Sequence, residues 1–164
     1  MKRLLLLALL AACAPRPGPE PAAAPTWRDR GIPISTPAIW EAGRLRGDWT
    51  AIAHYPAAGT AGCAELRYRI GAETITRSCD GRVEGGAFAL RAPARYETDL
   101  PGQPAAFWVL WLDESGETAV IGTPEGGAGW ILDRDGATTP DRLRAARDVL
   151  EFNGYDLSRL RMLR

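Results

Sequence analysis

From Gly47 onward the chain reads as short runs of alternating apolar and polar residues, broken by turn signals about every eight to twelve positions. That spacing predicts an all-β sandwich or barrel. The first run, Gly47 to Pro56, places Trp49, Ala51, Ala53 and Tyr55 on one face at period two. Thr50, Ile52 and His54 share the other face. A loop of small residues follows, and Cys63 to Ile70 alternates Ala64, Leu66, Tyr68 and Ile70 against Cys63, Glu65, Arg67 and Arg69. Gly71-Ala72 predicts a tight turn, Thr74 to Cys79 a return strand, and Asp80-Gly81 a second turn. Arg82 to Leu90 and Ala94 to Asp99 are weaker strands, with Gly85-Gly86 marking a bulge or bend in the former.

Phe107 to Leu112 is apolar at both parities, so both of its faces are expected to be covered. Thr118 to Gly122 and Gly129 to Arg134 bring the count to about eight strands. Eight strands can close into a barrel with no exposed edge and an interior sized for one small ligand. The expected fold is therefore an eight-stranded up-and-down antiparallel β-barrel. One C-terminal helix is predicted outside it, capped by Thr138 or Thr139, started by Pro140 and ended by Asn153-Gly154. Its stripe of Leu143, Ala145, Ala146, Val149 and Leu150 should pack over Trp108, Leu110 and Leu112. Leu157 to Met162 reads as a last short strand.

The beginning of the chain follows a different pattern. Lys2 and Arg3, the apolar run Leu4 to Leu10, and Ala11-Ala12 before Cys13 predict an export signal over residues 1–12. Seven apolar residues fall short of the roughly 20 that a spanning helix needs. Leu10-Ala11-Ala12-Cys13 resembles the lipobox of bacterial lipoproteins, which implies cleavage before Cys13 and acylation of that cysteine. An ordinary signal with an incidental cysteine is the alternative. Ala14 after Cys13 favours the outer membrane by the same resemblance, with the domain in the periplasm. Residues 13–26, rich in Pro and Ala, read as a tether that at about 3.1 Å per residue reaches roughly 30 to 40 Å. Residues 27–164 form the expected domain. Trp27 to Leu45 carries no clear element, though Ile32, Ile34 and Pro37 to Trp40 could cover one end of the barrel.

Composition adds exclusions more than assignments. The 164 residues are 46% hydrophobic and 24% charged, with 20 basic and 20 acidic side chains. Loss of Lys2 and Arg3 with the signal leaves 18 basic residues and a formal charge of −2. No basic stripe points to nucleic acid. His54 is the one histidine, so any Ser-His-Asp or Cys-His site would need it. Its parity places it away from the interior, at the surface, and no phosphate loop or metal-ligand spacing accompanies it. No catalytic residue, metal or cofactor is expected. With Cys13 assigned to acylation, Cys63 and Cys79 remain, each about eight residues from the Gly71-Ala72 turn. Antiparallel pairing would set them opposite each other, within disulfide reach, and an export compartment is oxidising. Two free thiols are the alternative.

The C-terminal runs also carry a resemblance. Phe107-Trp108-Val109-Leu110-Trp111-Leu112-Asp113, Thr118 to Pro124, Gly129-Trp130-Ile131-Leu132-Asp133-Arg134 and Gly154-Tyr155-Asp156 follow in order. Together with Gly47-Asp48-Trp49, this series resembles the lipocalins, in particular bacterial outer-membrane lipocalins of the apolipoprotein-D-like group. The likeness covers about residues 40–164, with Thr50 and Ala51 standing where the family has Tyr and Glu, Phe107 for Tyr, and Asp133 for a small residue. It implies that Gly47 and Trp49 close the narrow end of the barrel while Arg134 stacks on the Trp49 indole from outside.

It further implies a calyx that takes a small hydrophobic or amphiphilic ligand such as a fatty acid or lysophospholipid. Taken at one parity, the expected lumen positions are Tyr55, Leu66, Tyr68, Phe88, Tyr96, Phe107, Val109, Trp111 and Trp130. Expected partners are thus a lipid and, through the acyl anchor, the membrane, with transport, storage or membrane maintenance as the role. Monomer and dimer both stay open. The competing reading is an envelope lipoprotein whose filled barrel serves as a protein-interaction module.

Overall fold

A computed structural model describes residues 26–163. The signal, Cys13 and nearly all of the expected tether lie outside the described residues.

Among the described residues, nine strands form one antiparallel sheet: β1 (Gly47–Tyr55), β2 (Leu66–Ile70), β3 (Thr74–Cys79), β4 (Arg82–Ala92), β5 (Arg95–Thr98), β6 (Ala106–Leu112), β7 (Thr118–Gly122), β8 (Gly129–Asp133) and β9 (Arg161–Met162). The first eight follow a meander, and β1 closes it by pairing with β8 on one edge and β2 on the other. Local chemistry explains the connections. Asp80 and Gly81 both adopt positive φ, at 49° and 82°, the two-residue hairpin turn whose twist matches its strands. In β2, Leu66, Tyr68 and Ile70 are buried while Arg67 and Arg69 are exposed, so one face is core and the other solvent.

Two apolar clusters result. One fills the barrel; the other lies between its outer wall and the helix α1 (Pro140–Phe152). Thr139 is the cap, its hydroxyl accepting from Arg142 N at 3.3 Å. Ala146 and Leu150 are the buried helix residues. They meet Ile52, Tyr55, Leu110, Val120 and Ile131 of the wall. Tyr155 locks the helix end to the barrel: its hydroxyl accepts from Thr123 N and donates to Ala128 O, each at 2.8 Å.

Residues 27–34 run along this outer seam. Trp27 and Ile34 pack into the outer cluster, and Arg28 donates to Asn153 O and Pro124 O at 2.9 and 2.7 Å. Trp40 instead reaches the inner cluster and donates to the Tyr96 hydroxyl at 2.8 Å. A single 3-10 turn, Ala42–Leu45, then leads into β1.

Two β-bulges correct the parity reading. In β1 the register with β8 shifts between Ala51 and Ala53, and in β6 the register with β7 shifts between Val109 and Trp111. A bulge inserts one residue and inverts every side chain after it. Ile52 and Leu110 are the inserted residues, and both join the outer cluster. Tyr55 and Trp111, expected in the lumen, therefore lie outside under the helix seam. His54, expected at the surface, is 2% exposed and pairs with inward-facing Trp130. Leu112, expected under the helix, turns to the inner cluster.

Smaller corrections concern element ends. Leu157–Arg159 is a 3-10 turn, because the Asp156 carboxylate caps Ser158 N at 2.9 Å. Only Arg161 and Met162 pair as a strand, with Ala53 and His54. Cys63 precedes β2, and Leu66 is the residue opposite Cys79. The chain folds back over the hairpin end, with the Asp80 carboxylate accepting from Ala64 N and Glu65 N at 3.0 and 2.8 Å. The Cys63–Cys79 disulfide forms across that fold, with Cα atoms 5.3 Å apart.

Candidate functional site: the barrel interior

The interior divides into a floor, a ring-lined middle and a polar upper part. At the floor, Trp49 donates from its indole N–H to Leu45 O at 2.8 Å. The Arg134 guanidinium lies 3.9 Å from the indole ring centre, a cation–π contact. Arg134 also donates to Gly116 O, Arg46 O and Arg44 O at 3.2, 2.8 and 2.8 Å. It thereby satisfies three loop carbonyls that the barrel end would otherwise strand. Gly47 has φ of 113°, and a Cβ there would sit 2.6 Å from Arg134 Nη1. Backbone conformation and space both demand glycine at that point.

Above the floor, the inward rings touch across the barrel. Phe88 stacks on Tyr96 at 4.3 Å between centres, and Phe107 stacks on Trp130 at 5.6 Å. Tyr68 meets Phe107 and Trp130 edge-on at 6.0 and 5.9 Å. Leu66 and Val109 complete this set of expected lumen positions, both fully buried. Seven of the nine candidates thus belong to the inner cluster, while Tyr55 and Trp111 do not.

The upper part contains residues that the expected lumen set omitted. Arg77, on β3 opposite Tyr68, is 1% exposed. It forms an ion pair with Glu84, and its Nη2 also donates to Pro101 O at 2.8 Å. Gln103 accepts from the Tyr68 hydroxyl at 3.1 Å and from Arg77 Nη1 at 3.4 Å. A signal for Arg77 existed, since it shares parity with Ile75 and Cys79 on an amphipathic strand. Gln103 had none: it comes from a loop that folds inward between β5 and β6. Among the described residues, the buried atoms Arg77 Nε, Gln103 Nε2, Trp130 Nε1 and His54 Nδ1 have no hydrogen-bond partner. Native interiors pair nearly all such groups. Burial also pushes the Tyr68 phenol well above its usual range, so it stays a neutral donor.

Burial first, and the nearby Arg161 charge second, hold the His54 imidazole down at about 4 against an ordinary 6.5. Folded His54 is neutral where the unfolded chain would be protonated. Its contribution is therefore complete above pH 6.5 and declines as pH falls toward 4. The urea midpoint is expected to drop across that window, by an equivalent of roughly 2 kcal/mol. His54→Gln should flatten this part of the profile; an unchanged slope would refute the assignment.

The barrel has counterparts of known structure. The lipocalin-like domain family matches residues 93–164. Insecticyanin from the tobacco hornworm Manduca sexta superposes with a TM-score of 0.59 at 14% identity, covering 80% of this chain and 87% of that one. Lipocalin 12 from rat epididymis gives 0.59 at 13%, covering 86% and 93%. Lobster apocrustacyanin A1 gives 0.55 at 13%, covering 75% and 78%. No curated protein sequence matches the chain. At such identities the likeness concerns the fold; ligand chemistry must be argued from this chain's own residues.

Proposed function

We propose that this chain, a lipocalin by its fold and by the lipocalin-like domain of its C-terminal part, binds a small hydrophobic or amphiphilic ligand within the barrel. The observation that carries this reading is the set of unpartnered polar atoms inside an otherwise apolar, ring-lined barrel interior. Buried donors without an acceptor in the chain call for one supplied from outside it. A ligand with a long apolar part and one polar end satisfies both surfaces. The export signal and Cys13 add an acyl anchor, so the proposed setting is the outer membrane, with the domain in the periplasm and a role in lipid transport, storage or membrane maintenance.

The proposed role is carriage without catalysis. His54 Nδ1 has no partner among the described residues, so no carboxylate orients the imidazole as a nucleophilic site requires. The direct ring contacts between Phe88 and Tyr96 and between Phe107 and Trp130 favour one second reading, a filled barrel that serves as a protein-interaction module.

Native mass spectrometry after gentle purification separates the two. Carriage predicts a co-purified lipid, together with quenching of tryptophan fluorescence by a long-chain amphiphile that Trp130→Phe largely removes. A lipid-free protein that takes up no amphiphile would leave the filled-barrel reading standing.

A further inference from the structure

We propose that the upper chamber recognises the acidic headgroup of a single-chain amphiphile, with Arg77 and Gln103 as the headgroup ligands. This inference rests on the ligand-binding reading and specifies the ligand's polar end. Three of the unpartnered atoms, Arg77 Nε, Gln103 Nε2 and Trp130 Nε1, are nitrogen donors with no accepting capacity. The Gln103 orientation follows from its neighbours: the Tyr68 hydroxyl and Arg77 Nη1 both donate to its oxygen, which leaves its NH2 unspent.

Tyr68 joins the group together. It lies opposite Arg77 in the β2–β3 pair, bonds Gln103, and packs its ring against Trp130 at 5.9 Å. A surplus of donors in a low-dielectric chamber calls for acceptors, and a buried guanidinium calls for a negative one. The charge partner present, Glu84, has a side chain 42% exposed. Water therefore screens its compensation of Arg77, whose Nε is left without an acceptor.

The position fits a ligand held head-up. Arg77 lies two residues before the end of β3, where the chain turns at Asp80-Gly81. Two loops close over it. Gly59 N donates to Gly102 O at 2.7 Å, and a Cβ on Gly59 would lie 2.7 Å from Arg77 Nη2. An acyl chain extending from Arg77 would enter by parting the contacts among Tyr68, Trp130, Phe107 and Phe88. Headgroup and tail would then meet surfaces of their own kind without reversing inside the barrel.

Titration calorimetry of the purified chain with dodecanoate, dodecyl phosphate and dodecanol tests this, because the three share a tail and differ in the head. The acids are expected to bind at least about tenfold tighter than the alcohol. Arg77→Met should remove most of that advantage. Glu84→Gln, at a partly exposed site that should tolerate it, should raise acid affinity several-fold by removing the competing charge. Preference for dodecanoate over dodecyl phosphate would identify a carboxylate site, and the reverse a phosphate site; both support acid recognition. Equal binding of acid and alcohol, with no response to Glu84→Gln, would overturn the headgroup assignment while leaving amphiphile binding intact. No binding of any probe would overturn the ligand-binding reading itself.

Discussion

Trp49→Ala is expected to lower the unfolding free energy by about 4 kcal/mol, the range for truncating a fully packed large aromatic. Trp49 is 1% exposed and spans the barrel floor between Leu45 and the inner cluster. Its removal leaves a cavity that β-sheet walls, held in register on both sides, cannot collapse to fill. The indole also carries the Arg134 guanidinium at 3.9 Å. Arg134→Ala should cost about 2 to 3 kcal/mol, since three carbonyls lose their donor along with the stacking. Lysine cannot restore the planar fork that reaches three oxygens at once. Urea unfolding of the two single variants and the double variant at neutral pH measures the coupling. An interaction of about 1 kcal/mol is expected; strict additivity would show that the stacking contributes nothing.

Replacing Cys63 and Cys79 together by Ser should cost about 3 kcal/mol in the chain-entropy model, given their sequence separation of 16. The effect should extend to the site. Arg77 stands two residues before Cys79 on β3, and the disulfide ties that strand end to the chain entering β2. Loss of the bond is expected to weaken amphiphile binding beyond what global unfolding explains. Comparing ligand affinity of the oxidised and Ser variants under conditions where both are folded makes the distinction. Equal affinities would confine the disulfide to stability.

Much of the architecture was legible because β-structure writes its period directly into the chain. Leu66, Tyr68 and Ile70 against Arg67 and Arg69 can satisfy only a strand with one wet face. Asp80-Gly81 demands a two-residue turn, since those residue types tolerate positive φ. Thr139-Pro140-Asp141 and Asn153-Gly154 bound one helix through capping chemistry alone. The site was less legible. Tyr55 and Trp111 were misplaced for one shared reason, and His54 was misplaced by the same event as Tyr55.

The amino-acid pattern by itself determined the strand order of the meander, the single outer helix, the two cysteines able to pair, and the aromatic stock of the interior. These follow from residue type and local spacing. Which side chains face the chamber beyond Ala51 and Val109 was decided only in three dimensions. A bulge is placed by how one strand meets its neighbour, here β8 and β7, and one inserted residue inverts all that follow. The same holds for Gln103, which a distant loop delivers to Tyr68 and Arg77. Local sequence carries period; only closure of the barrel assigns the inside.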